Sequence, residues 1–141
     1  MAKRWLDRLS VPVLKIAEAF GRAPERLDKW LRAMFSIKHE RLGDDPEMFA
    51  TYLTLAREAC KAVSCHKDCL VDQIALILSD GVKQGTFEVA DVKATARAIF
   101  DATSRFHHPA HAEEWNEPGT PARIDALLAL LLKGLEAPRK R

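Results

Sequence analysis

An all-α bundle of five to six helices is the fold class that this 141-residue sequence predicts. Three observations predict it. Apolar residues recur at intervals of three and four, no segment alternates in the strand manner between turn residues, and proline or aspartate stands where new apolar stripes begin. A chain of this length that is 48% hydrophobic builds one domain with its own core, residues 1–141, and is short for two.

The first helix is expected from about Lys3 to Phe20, with Trp5, Leu6, Leu9, Val13, Leu14 and Ile16 on its apolar side. Pro12 removes a backbone donor, which predicts a kink or break near Val11, and Gly21 stops the helix. Pro24 opens the second helix, where Leu27, Trp30, Leu31, Met34 and Phe35 form one stripe as far as Gly43. Asp44-Asp45-Pro46 supplies a side-chain acceptor and a proline suited to the first turn, so a third helix follows with Phe49, Tyr52, Leu53 and Leu55. The pattern weakens from Val63 to Asp68. It resumes at Leu70, Val71, Ile74, Ala75, Ile77, Leu78 and Val82 and continues to Gly85, which we read as one kinked unit, with two helices as the alternative. Asp91 caps the next helix, with Val92, Ala96, Ile99, Phe100, Thr103 and Phe106 on one side and Pro109 at its end. Ala110 to Gly119 reads as a polar loop.

The last helix starts at Thr120-Pro121 and holds Ile124, Leu127, Leu128, Leu130, Leu131, Leu132 and Leu135. These wrap more than one face, whereas a helix on a monomer surface needs an apolar stripe only ~100° wide. The excess area calls for a partner, most simply a second copy, with the last two helices of each chain forming a four-helix bundle. The expected interface is Ile99, Thr103, Ile124, Leu127, Leu128, Leu131 and Leu135. A helix buried at the centre of the monomer is the alternative.

Charge excludes other classes. The net charge is +2 with both signs interleaved, so no basic face announces a nucleic-acid partner. No apolar run approaches the ~20 residues of a membrane span and Met1-Ala2-Lys3-Arg4-Trp5 opens no signal core, which places the expected protein in the cytoplasm. A phosphate loop, a His-Glu-x-x-His and a nucleophile elbow are all missing, so neither an enzyme nor a cofactor is expected. Cys65 and Cys69 lie four apart beside His66, but only Cys60 and a distant histidine complete a zinc set, and buried reduced thiols are the simpler reading. His107, His108 and His111 crowd a helix end, where imidazoles cap open carbonyls; recruitment of Glu113 or Glu114 to a metal is the alternative. No metal is expected.

Asp45-Pro46-Glu47-Met48-Phe49, the His66 region, Asp80-Gly81-x-x-x-Gly85-x-Phe87, Asp91, Phe106-His107-His108-Pro109 and Leu130-Leu131-Leu132-Lys133-Gly134-Leu135 follow one another in a telling order. The succession resembles the C-terminal domains of tetracycline-repressor-like (TetR) transcription regulators over most of the chain. That resemblance implies an all-helical bundle, a homodimer through its last two helices, and an interior cavity for a small apolar or aromatic effector. Aromatic and sulfur side chains suited to such a cavity are Trp30, Met34, Phe49, Tyr52 and Phe100, and the same residues also fit a solid core. Tyr52, the single tyrosine, stands out because a buried hydroxyl needs a partner.

Such regulators begin with a three-helix DNA-binding head, and no match to it is evident here. DNA contact is therefore expected only through an N-terminal domain that this chain lacks. Two other readings remain: a residual helix-turn-helix at 16–31, from Ile16-Ala17, Gly21 and Leu27, and a stand-alone helical module binding a protein through its last helix. The expected mechanism has two states, an effector favouring one arrangement of the first helices, with Pro12 as a flexible point.

Overall fold

The computed structural model describes residues 2–40, the helical positions 47, 50, 51 and 54, and residues 60–138; side chains are described from Leu9 onward except at 60–65, 109 and 110. Five α-helices stand among the described residues, α1 (Ala2–Ala17), α2 (Ala23–Lys38), α3 (Cys60–Gln84), α4 (Val92–Ala102) and α5 (Thr120–Leu135). The all-α expectation holds. Glu47, Ala50, Thr51 and Thr54 are helical and exposed, and the expected third-helix positions Phe49, Tyr52, Leu53 and Leu55 lie outside the described residues.

α1 passes through Pro12 without the expected break, because the proline lies on the exposed side, where water can satisfy the carbonyl it leaves open. It buries Leu9, Val13 and Ala17 and ends at Ala17, short of Phe20, which is fully exposed. Gly21, with a φ of 133°, turns the chain. Arg22 gives α2 no side-chain cap, and the amide of Gln84 substitutes: its Oε1 accepts from the Ala23 amide at 2.8 Å and its Nε2 donates to the Gly21 carbonyl at 2.9 Å.

α3 is the central helix, packed by α1, α2 and α4. Leu70, Ile74, Ile77 and Leu78 are wholly buried on it. It runs unbroken through Val63–Asp68, where the apolar pattern weakens because the core-facing position is His66, itself buried. Its exit explains the glycine motif. Gly85, at a φ of 76°, closes the helix, and the amides of Thr86 and Phe87 donate to the Gly81 carbonyl at 2.9 and 3.1 Å. Phe87 thereby folds back onto Gly81 and is buried. The end of α5 is clipped to this exit: Glu88 N donates to Leu135 O at 2.9 Å and Ala137 N to Thr86 O at 3.0 Å, around an isolated antiparallel bridge between Phe87 and Glu136.

α2 and α3 run antiparallel along a seam of polar pairs set in apolar surroundings. From one end to the other these are Ala23 with Gln84, Arg26 with Asp80 at 2.8 Å, Trp30 with Gln73 at 2.9 Å, and Lys38 with His66 at 2.9 Å. Arg26 also donates to the Ala17 carbonyl, which ties the exit of α1 to the same seam. Gln73 reaches the Ser10 carbonyl at 3.3 Å, a second link to α1. Because each pair is satisfied at one register only, a slip by a single turn would orphan several buried groups at about 1–3 kcal/mol each.

Asp91 caps α4 as expected, accepting from Ala94 N at 3.0 Å. Thr103 ends α4 by donating its hydroxyl to the Ile99 and Phe100 carbonyls. Short 3-10 turns follow at Ser104–Phe106 and Pro109–Glu114. The stretch expected as a polar loop is therefore partly helical, and it buries Trp115, whose indole N–H donates to Arg105 O at 2.9 Å. A single tryptophan in a polar run carries no periodic signal, so sequence reading passes over it.

Gly81 is the most closely packed of the described glycines. A Cβ built there would stand inside van der Waals distance of Phe87 Cδ2 and 2.9 Å from Ala23 Cβ. Gly81→Ala is expected to cost about 1–3 kcal/mol through overpacking. Urea unfolding should show a lower midpoint at unchanged slope. An unchanged midpoint would mean that Phe87 is not held where it lies.

Candidate functional site

The end of α2 delivers a lysine to the interior. Lys38 is 3% exposed, and its ε-amino nitrogen lies 2.9 Å from His66 Nε2 on α3. Periodicity puts it there: Leu27, Trp30, Leu31, Met34 and Phe35 define the buried stripe, and the next core-facing position is Lys38. From the other side, the 3-10 turn after α4 brings in His107, 3% exposed, with its Nε2–H donating to the Phe100 carbonyl at 3.1 Å. The His107 ring stacks on Phe35 at 6.2 Å and tilts against Phe100 at 4.6 Å.

These groups border a cavity of about 160 Å³ where α2, α3 and α4 converge. A single water needs only ~10–15 Å³ of such volume, so the space admits a guest of several heavy atoms. Lys67, Arg97, Ser104 and His108 complete its polar side, Phe100 its apolar side, and Asp101, the acid among its lining residues, is paired with Arg97 at 3.2 Å. Lys67 forms no ion pair with a described residue.

Burial depresses Lys38 and the three histidines of this site. It pushes Lys38 down to about 7, with the Lys67 charge adding to the effect. It pushes His66 down to about 3, assisted by Lys38, His107 and Lys67. His107 also falls to about 3, from burial first and then the Lys38 charge, against the opposing pull of its bond to Phe100. His108 is lowered by burial and by Lys67. Neutral His66 then accepts from Lys38 through Nε2 and carries its own proton on Nδ1, while His107 carries its proton on Nε2.

Of the residues expected to hold an effector, the structure brings Phe100 to this cavity. Trp30 and Met34 are wholly buried in the core, with the Trp30 indole tied to Gln73. Phe49 and Tyr52 lie outside the described residues. Lys38, a lysine at a core position, stands outside the expected effector set, although extending the α2 stripe by one step finds it. The sequence pairs His66 with Cys65 and makes His107 a cap; His107 does bond the Phe100 carbonyl, and both imidazoles also face the cavity. Among the described residues no three His, Cys, Asp or Glu side chains converge as metal ligands, and Cys69 is an exposed free thiol.

The expected interface residues divide. Ile99, Thr103, Leu128 and Leu135 are buried within the protomer, whereas Ile124, Leu127 and Leu131 are half-buried. Outside them the solvent side of α5 carries Ala122, Ala126, Ala129 and Leu130, the last 69% exposed, and α4 shows exposed Ala94, Ala98 and Ala102. A wider open groove of about 1110 Å³ lies between the α3 exit and the chain beyond α5, with Phe87 and Leu132 among its walls. As for a helix-turn-helix at 16–31, the outward face of α2 carries Glu25 and Asp28 beside Lys29, and Arg32 is held by Asp28 and Asp125, which leaves little to meet a phosphate backbone. No described helix is long and apolar enough to cross a membrane.

The family model described as tetracyclin repressor-like, C-terminal domain, matches residues 23–128. No curated protein and no solved structure matches the chain.

Burial of the histidines sets the acid response. Their folded pKa values lie below the unfolded 6.5, so between about 6.5 and 3 the unfolded chain binds more protons and stability falls as pH falls. Each histidine contributes up to about 1.4 kcal/mol per pH unit. Urea midpoints measured from pH 7 to 4 should drop steeply, and His66→Gln should flatten that drop. An equal slope in the variant would remove His66 from the account.

Proposed function

Because the chain belongs to the tetracyclin repressor-like C-terminal domain family, we propose that it is the effector-binding and dimerisation domain of a transcriptional regulator, a repressor in its full-length form. Its role is regulatory rather than enzymatic. The observation that carries this reading is the cavity at the convergence of α2, α3 and α4, bordered by the buried Lys38, His66, His107 and Phe100 and by more exposed polar side chains. Interior sites of this kind hold small molecules by apolar walls and a few placed polar groups.

The route of coupling follows from the α2–α3 seam. A guest at the cavity touches the pair at one end, Lys38 with His66, while the other end holds Arg26, which bonds both Asp80 and the last carbonyl of α1. A guest that favours one placement of α2 along α3 therefore also favours one placement of α1. In the full-length protein that shift alters the spacing of two DNA-reading heads, and DNA affinity changes by the effector's differential affinity for the two arrangements. Phe100 is the member of the expected effector set retained in this reading.

The second copy binds across α5. Ile124, Leu127 and Leu131 offer their uncovered sides, and Leu130 with Ala122, Ala126 and Ala129 extends the surface, small residues that allow close helix approach. Leu128, Leu135, Ile99 and Thr103 support this surface from inside the protomer.

Sedimentation velocity tests the assembly. The wild type should run as a dimer, and Leu130→Arg combined with Ala126→Arg as a folded monomer; a wild-type monomer, or an unmoved dimer in the variant, removes this interface. A thermal-shift screen tests the cavity, since a guest at 100 times its Kd adds about 2.7 kcal/mol of stability. A broad panel of small molecules without a single stabiliser would reject effector binding.

A further inference from the structure

We infer that Lys38 is a carbonyl-binding amine: a small aldehyde enters the cavity between α2, α3 and α4, rests its apolar body on Phe100 and forms a reversible imine with the ε-amino nitrogen. This deepens the effector reading by naming the class of guest, and rests on it.

Placement is the first support. Of the cavity walls, Arg97 and Asp101 are exposed while Lys38, His66, Phe100 and His107 are buried, so the space opens to solvent on one side and reaches Lys38 on the other. Its volume of about 160 Å³ has room for a single aromatic ring with its carbonyl. Lys38 is not short of partners: His66 Nε2 lies 2.9 Å from its nitrogen, and a further interaction holds it besides. A neutral amine donates two hydrogen bonds and keeps its lone pair, so such partners aim a nucleophile without using it up. A hydrocarbon guest would make no use of this amine, and a carboxylate would compete with the partners it already has.

Protonation is the second support, because an ammonium has no lone pair to give. Burial lowers Lys38 to about 7, with the Lys67 charge adding to the effect, so roughly half of it is free amine at neutral pH, whereas an ordinary lysine at ~10.4 holds about one part in a few thousand. Desolvated lysines of this kind are the ones that condense with carbonyl groups.

In the first step the nitrogen lone pair attacks the carbonyl carbon, the C=O π pair moves to oxygen, and one nitrogen proton passes to that oxygen, giving a carbinolamine. In the second the C–O bond breaks, the nitrogen lone pair forms C=N, and the hydroxyl leaves with the second nitrogen proton as water. Nothing is oxidised or reduced, and hydrolysis reverses the sequence when the aldehyde is gone. A neutral imine carries no N–H, so Lys38 ceases to donate to His66. Their hydrogen bond then persists only if His66 moves its proton from Nδ1 to Nε2. The adduct therefore acts directly on one end of the α2–α3 seam.

Benzaldehyde followed by sodium borohydride tests this on the whole chain, because borohydride delivers hydride to an imine carbon and fixes a benzyl group on the nitrogen. Peptide mass spectrometry at pH 7 should find that group on Lys38 at a benzaldehyde concentration at least about tenfold below what any other lysine needs, with the chain's α-amino group, which titrates at ~8, as internal reference. Occupancy of Lys38 should saturate, rise through pH 7 and level above about 8, while surface lysines keep climbing. The charged and titratable groups that share the cavity with Lys38 are His66 and Lys67 from α3, Arg97 and Asp101 from α4, and His107 and His108 from the turn beyond. His66 and His107 stay neutral down to about 3, so the rise near 7 is that of Lys38. Ser104→Trp, which fills the cavity from its half-buried rim, should suppress the label with unchanged circular dichroism, and Lys38→Met should remove it together with any stabilisation by benzaldehyde. If Lys38→Met does not fold, the wild-type map, its pH series and Ser104→Trp decide. Lys38 labelled no more readily than surface lysines, or labelled equally in Ser104→Trp, overturns the imine site. Toluene and other molecules without a carbonyl stabilising the protein while Lys38 stays unlabelled would leave effector binding standing and this inference rejected; no label and no stabiliser would reject both.

Discussion

The register of α2 against α3 is the constraint on which the rest of this bundle depends. Apolar packing alone tolerates sliding, because one leucine contact resembles the next along a helix. The seam from Gln84 through Arg26, Trp30 and Gln73 to Lys38 removes that freedom, since its members find partners in one alignment. α1 inherits its position from the seam through Arg26 and Gln73, and α4 packs on the same central helix. The proposed guest and the proposed output to α1 sit at opposite ends of one mechanical element. Distance between them is then no obstacle to coupling, because a helix transmits displacement along its length.

The cavity is also where the bundle departs from good local rules. Burial does most to depress Lys38, His66 and His107, and the Lys38 charge lowers both histidines further. A core optimised for stability alone would place apolar side chains at all three positions. Local rules are broken at functional sites more than elsewhere. The adjoining Phe35, Phe106 and Trp115 give the opposite picture, with rings packed face and edge and polar edges satisfied: the Trp115 indole by the Arg105 carbonyl, and His39, stacked on Trp115 at 4.3 Å, by the Phe106 carbonyl. A rigid aromatic corner beside a charged cavity holds its walls in place.

Two motifs prominent in the sequence prove to be joints. Gly81, Gly85 and Phe87 stop α3 and dock the chain beyond α5, which is why the first glycine admits no side chain and the second adopts a left-handed φ. Phe106-His107-His108 follows α4 as a tight turn, and its geometry, more than its composition, swings His107 inward over Phe35. The leucines of α5 sort in a comparable way: Leu128 and Leu135 fill the protomer, Leu127 and Leu131 straddle its edge, and Leu130 points out.

By itself the sequence determined where α2, α4 and α5 begin, since periodicity, Asp91, Pro24 and Thr120-Pro121 are local signals whose physics needs no distant partner. It also marked the surplus leucine of the last helix and the glycine turn after α3. It did not determine which polar residues lie inside. Gln73 carries no local sign of burial, and the surroundings of Lys38 and His66 are set only when three helices converge, because whether a charge is buried depends on what packs over it. The placement of Trp115 and the inward turn of His107 were likewise decided by tertiary structure, where long-range packing sets a side chain's surroundings and the chain's own neighbours cannot.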